Sequence, residues 1–266
     1  MSRKSVASAL VVAAAFAAAC ATTPPIPPSP AYLARAHAHN DYARRRPLFE
    51  ALERGFGSIE VDVVVLDGEI YVAHERSGIR RSDTLARLYL EPLRDRARRH
   101  GGSVYAVSDA SLQLLIDVKG PAEETYRALD EQLSAYDELF TRWTKDGLRR
   151  GPVTAVLSGN RPFEVLLADS VRYLALDGRI DEERTAFSVD AMPLVSIDWE
   201  TIEALPPDTR LAAARRWIDL IHRENRRVRF WGTPDRGQVW RSLLELGADH
   251  IGADDVFSLE QVLRTQ

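Results

Sequence analysis

Along residues 31–266, short apolar runs bounded by Gly, Pro and Asp alternate with longer amphipathic stretches. Parallel strands alternating with crossover helices read this way. The strand-like runs are Tyr32 to Ala36, Ser58 to Leu66, Leu112 to Val118, Val153 to Leu157, Val171 to Leu176, Leu194 to Ile197, Val228 to Trp231 and His250 to Ile251. Glu69 to Ala73, after the Asp67-Gly68 turn, predicts an added hairpin strand. Helical spacing marks Leu48 to Arg54, Thr84 to Arg99, Ala122 to Leu139, Pro162 to Ala168, Leu211 to Glu224, Arg236 to Leu246 and Leu259 to Leu263. This α/β pattern predicts a (β/α)8 TIM barrel in one domain, residues 31–266, with its active site at the carboxyl ends of the strands. An open doubly wound sheet is the alternative. No Gly-x-Gly-x-x-Gly follows the first strand and no Walker A sequence occurs, so nucleotide folds have little support.

The amino terminus has a different pattern. Arg3 and Lys4 precede a run from Val6 to Ala19 that is apolar except for Ser8. It is too short for the ~20 residues of a spanning helix, and it predicts a signal peptide over residues 1–19. The run ends Ala17-Ala18-Ala19-Cys20, which resembles a bacterial lipobox with Ala17 in place of the usual Leu; cleavage before Thr22 is the alternative. The segment ATTPPIPPSP, completing a linker over residues 20–30, suits a semi-rigid spacer. The expectation is an exported bacterial protein, lipid-anchored at the cell envelope through Cys20, or otherwise periplasmic or secreted. Cys20 is the single cysteine, which excludes a disulfide framework and any multi-thiolate metal site. A formal charge of −4 gives no basic field for a nucleic acid.

Candidate chemistry gathers at three strand ends: His37-Ala38-His39-Asn40-Asp41-Tyr42, Glu60-Val61-Asp62 and Asp117-Val118-Lys119. Residues i and i+2 of a strand share a side. Ile59, Val61, Val63 and Val65 form one apolar face, so Glu60 and Asp62 share the other; Leu114, Ile116 and Val118 place Asp117 and Lys119 likewise. With the apolar faces against helices, three carboxylates point into the barrel, where each unpaired charge costs several kcal/mol. Lys119 offsets one of them at most. Oxygen donors from Glu60, Asp62, Asp117 and the Asn40 amide suit a hard cation, Mg2+ or Ca2+. Of the six histidines, His37, His39 and His74 lie beside this cluster. The Glu69 to Ala73 hairpin presents His74 over the mouth, and two imidazoles near a cation make a general base and a general acid. His100 and His222 fall on helices, and His250 opens the last strand at the end away from the mouth.

His39-Asn40-Asp41-Tyr42, Glu60-x-Asp62, Asp67-Gly68 followed by His74, and Asp117-x-Lys119 resemble the phospholipase C-like phosphodiesterase superfamily. That superfamily includes glycerophosphodiester phosphodiesterases, phosphatidylinositol-specific phospholipases C and sphingomyelinase D-type enzymes. Arg229-Phe230-Trp231 and Gly247-Ala248-Asp249-His250-Ile251 extend the likeness to the last two strands, and Arg46-Pro47 matches the His-x-His-Asn-Asp-Tyr branch. The resemblance implies His39 and His74 as the catalytic pair, and Glu60, Asp62 and Asp117, with Asn40, around one divalent cation. It also implies that Lys119 and Trp231 contact a lipid or small-molecule phosphodiester. Asp117 stands where Glu is common, and His37 is an extra imidazole, grouped here with the substrate contacts. The loop residues Ser158, Asn160, Arg161, Asp177 and Asp198 are candidates for headgroup specificity. Two other classes stay open: an amidohydrolase-like metal hydrolase, which opens with the same His-x-His, and a non-catalytic headgroup-binding lipoprotein.

Overall fold

Period-2 alternation fixes which side chains face the helices and which face the barrel axis. In the computed structural model, which describes residues 30–106 and 110–265, eight parallel strands close on themselves. They are β1 (Leu33–Ala38), β2 (Phe56–Leu66), β3 (Leu112–Val118), β4 (Val153–Gly159), β5 (Leu174–Arg179), β6 (Leu194–Asp198), β7 (Arg227–Trp231) and β8 (His250–Ala253). Strand β1 pairs with both β2 and β8, which completes the (β/α)8 TIM barrel. Glu69–Val72 folds back antiparallel on β2, as the Asp67-Gly68 turn predicts.

The outward residues Ile59, Val61, Val63, Leu114, Ile116, Ala155 and Leu157 pack into the core shared with the surrounding helices. Inside the barrel, Leu115, Val156, Ala175 and Leu194 form a small apolar layer with Trp143. The remaining interior is polar: His37, Ser58, Glu60, Asp62, Gln113, Ser158, Asp177, Ser196 and Arg229 are all buried. Many barrels fill this space with branched apolar side chains. Here the polar interior ties the site above to the strands below.

Differences from the sequence reading have local causes. Strand β1 starts at Leu33 and runs on to Ala38, so His37 lies within it. Val171–Arg172 leaves the barrel wall and joins Arg142–Thr144 and Gly147–Arg149 in an antiparallel side sheet. The break falls at Tyr173, whose backbone N–H donates to Asp130 Oδ1 at 2.9 Å instead of to a neighbouring strand. The stretch from Thr84 to Arg99 divides into a π turn over Ala86–Leu90 and an α-helix over Glu91–Arg99. Pro92 marks the join, because it has no N–H for the preceding turn. Between β5 and β6 the described residues hold a 3-10 turn, Arg184–Ala186, where a full repeat has a helix. Residues 1–29, and with them the expected leader, Cys20 and most of the Pro-rich segment, lie outside the described residues. No helix among the described residues is long and apolar enough to cross a membrane.

Candidate active site

Register brings the acids together. Strands β2 and β3 pair with Asp62 opposite Asp117, so both carboxylates face the axis at one level, with Glu60 two residues below Asp62. One ligand atom from each of Glu60, Asp62 and Asp117 lies within 4.8 Å of the others. Lys119, just past β3, extends its Nζ to 3.2 Å from Asp117 and 3.4 Å from Asp62. The hairpin delivers His74, whose Nδ1 is 2.6 Å from Asp62 Oδ2. Tyr42 donates its hydroxyl to that same oxygen at 2.9 Å. At the end of β1, His39 Nδ1 is 2.8 Å from Asp254 Oδ1, while its Nε2 lies 3.9 Å from Glu60 Oε1. His39, Glu60, His74, Asp117 and Lys119 open onto a cavity of about 470 Å3, lined also by Asn40, Ser158, Asn160, Arg179 and Trp231.

A buried ion pair with an imidazole beside it anchors the floor. Arg229 Nη1 reaches Glu60 Oε2 at 2.6 Å, and His37 Nε2 is 2.9 Å from the same oxygen. Burial raises the Glu60 carboxyl, but the Arg229 guanidinium and the His37 hydrogen bond outweigh it, and the net shift is downward. His37 is itself pushed down to about 4, first by burial, and is neutral at pH 7. Gln113 Nε2 donates to Ser58 Oγ at 2.9 Å, and Ser58 Oγ lies 2.7 Å from His37 Nδ1. Arg229 Nη1 also lies 2.7 Å from His37 Nε2, so the imidazole sits against both members of the Glu60–Arg229 pair.

The two upper carboxylates share one positive charge, that of Lys119. Burial raises the Asp117 carboxyl, and Glu60 and Asp62 add to the rise against the pull of Lys119. Asp62 Oδ1 and Asp117 Oδ1 are buried without a hydrogen-bond partner. Two orphaned carboxylate oxygens beside a third acid form the donor set a hard cation takes. The residues present therefore fit a divalent metal, though the donor set does not choose between Mg2+ and Ca2+.

The structure brings His39, His74, Asn40, Glu60, Asp117, Lys119 and Trp231 to one cavity, with Asp62 behind them. His37 is the exception among the expected substrate contacts. It is fully buried under Glu60, and both of its ring nitrogens are bonded to protein groups, so it supports the site from below. Ser158 and Asp177 also turn inward: Ser158 donates to Asp177 at 2.8 Å, and Arg179 bridges the two, at 2.6 Å from Asp177 and 3.0 Å from Ser158. Arg161 is tied to Glu182. Sequence reasoning missed Asp254 and Arg179, and the roles of Tyr42 and Arg229. Alternation with outward Val228 and Phe230 marks Arg229 as inward-facing, whereas nothing in the local pattern joins Asp254 to His39.

An eight-stranded barrel with this acid and histidine cluster at the carboxyl ends of its strands defines a phosphodiesterase-type TIM barrel. The chain belongs to the AIM6-like phosphodiesterase domain family, which it matches over residues 31–177. Residues 227–256 match the glycerophosphoryl diester phosphodiesterase family. Altered inheritance of mitochondria protein 6 of Eremothecium gossypii is 30% identical over 84% of this chain and 68% of its own. The homolog of that protein in Arthroderma benhamiae is 29% identical, over 83% of this chain and 81% of its own. Among solved structures, a glycerophosphodiester phosphodiesterase from Parabacteroides distasonis superposes with a TM-score of 0.56 at 15% identity, covering 87% of this chain and 97% of that one. A glycerophosphoryl diester phosphodiesterase structure from Silicibacter pomeroyi gives 0.53 at 14% identity, over 90% and 95%. These two likenesses establish the fold.

The sequence relatives are fungal, and this overturns the expectation of an exported bacterial protein held at the envelope through Cys20, or else periplasmic or secreted. They point to a eukaryotic protein. Two bases followed by an apolar run are too generic a pattern to fix the kind of cell or compartment.

Proposed function

We propose that the chain is a metal-dependent phosphodiester hydrolase acting on glycerophosphodiesters or phospholipid headgroups. One observation carries the reading: beside the three-carboxylate cluster, His39 and His74 each turn Nδ1 to a carboxylate, and among the described residues neither Nε2 forms a hydrogen bond. Each ring is thereby fixed in orientation and tautomer, with Nε2 available for proton transfer. His39 and His74 divide proton removal from the nucleophile and proton donation to the leaving alcohol. A divalent cation held by Glu60, Asp62 and Asp117, with Asn40 beside them, would neutralise charge on a phosphate oxygen. Lys119 supplies a second positive contact to the phosphate, and the partly exposed Trp231 forms a wall for the esterifying group.

The test is purified protein assayed against glycerophosphodiesters, phosphoinositides and lysophospholipids, with the products identified. Turnover is expected to vanish in excess chelator and to return with Mg2+ or Ca2+. Asp62→Asn is expected to weaken metal binding while the fold survives, since it relieves repulsion within the cluster. Full activity in chelator, or rescue by Zn2+ alone, favours the amidohydrolase-like alternative. Headgroup binding without turnover across the panel favours the non-catalytic one.

A further inference from the structure

At the opposite end of the barrel, beneath the amino ends of β3, β4, β6 and β7, the side sheet covers a second cavity of about 360 Å3. It shares no lining residue with the active-site cavity. Two guanidinium-bearing residues, Arg150 and Arg227, line it, and among the described residues neither forms an ion pair. Arg227 is partly buried, and among the described residues its one side-chain hydrogen bond is with His250 Nε2, at 3.1 Å. That imidazole is buried and neutral, since desolvation holds its pKa well below the ordinary value. Asp249 lies near enough to act on Arg227 electrostatically, but its Oδ2 is already shared by the Val228 N–H and His222, each at 2.8 Å.

Two further atoms on the cavity residues are orphaned. Trp143 Nε1 and Gln113 Oε1 are buried without a hydrogen-bond partner among the described residues, which is unfavourable if nothing satisfies them. Water satisfies lone polar atoms in many cavities. It brings no charge to oppose two guanidinium groups. One acid, Asp190, also lines the cavity and leaves its lining net positive. The cations and the indole N–H select an oxyanion, while Gln113 Oε1 and Asp190 accept hydroxyl protons.

We propose that this cavity binds a small hydroxylated oxyanion, a phosphorylated or carboxylated polyol, at a site separate from the active site. The test uses the full chain carrying Lys119→Met, which weakens phosphate binding at the mouth, titrated by calorimetry with glycerol 3-phosphate, glycerate, inorganic phosphate and glycerol. At least one of glycerol 3-phosphate and glycerate is expected to bind saturably and more tightly than inorganic phosphate, and which of them does so identifies the anionic group. Glycerol is expected not to bind. Arg150→Ala, at the exposed rim where folding is not at stake, is expected to weaken that binding tenfold or more. Trp143→Phe, which removes only the N–H donor and some ring volume, is expected to weaken it several-fold. Absence of saturable binding, equal affinity for inorganic phosphate, or affinity unchanged by Arg150→Ala would overturn the proposal.

Discussion

His39 and His74 are oriented by different means. His74 is half of a pair with Asp62, whose Oδ2 also accepts from Tyr42, while His39 relies on the exposed Asp254. His39→Ala and His74→Ala are each expected to lower turnover by roughly 10²–10⁴-fold in steady-state assays, the scale of losing a general acid or base. Because the proposal assigns both to one transition state, the double variant should be little worse than the poorer single one. Asp254→Asn should fall between wild type and His39→Ala and shift the pH–rate profile, since it disturbs the ring without removing it. Wild-type turnover in His74→Ala would break the assignment of the hairpin histidine. His37→Ala should show itself mainly in stability. It removes a buried partner of Ser58 and Glu60, at a cost of about 1–3 kcal/mol in urea unfolding.

At the scale of elements, a strand end sets the position of Asp117. Gly159 closes β4 with φ +67°, and a Cβ there would lie 2.1 Å from Asp117 Oδ1 and 2.5 Å from the Val118 carbonyl oxygen. Only glycine gives both the left-handed backbone and the space. Gly159→Ala is therefore expected to displace the Asp117 carboxylate and raise the metal concentration needed for half-maximal activity by tenfold or more. Unchanged metal dependence would show that the carboxylate tolerates the shift. The acids on β2 and β3 were legible in the sequence because alternation alone puts residues i and i+2 on one side of a strand. The short side strand at Val171–Arg172 was not legible. An apolar run carries no mark of the Tyr173–Asp130 hydrogen bond that detaches it from the wall.

Across the whole molecule, the polar interior makes stability depend on pH. His250 is buried at the base of the barrel, and its pKa is lowered well below 6.5 by desolvation first and then by Arg227 and its other neighbours. His37 is lowered in the same direction, to about 4. A folded-state pKa below the unfolded value means that the unfolded chain binds more protons as pH falls. This contribution to stability is present in full above about pH 6.5 and is lost as pH drops toward the folded values. Urea midpoints are expected to fall from pH 7.5 to pH 5, and His250→Gln should flatten that slope. A midpoint independent of pH across this range would contradict neutral burial of both rings.

The barrel class, the two acid-bearing strand ends and the hairpin carrying His74 followed from residue order alone, because strand periodicity and turn chemistry act over a few neighbours. Tertiary structure decided which charges meet. Glu60 finds Arg229 across 169 positions, and His39 finds Asp254 across 215. Closure of β1 onto both β2 and β8 makes those distant positions adjacent. His37 was grouped with the substrate contacts as an extra imidazole beside His39. In the closed barrel its alternation turns it inward, below the mouth, where solvent does not reach.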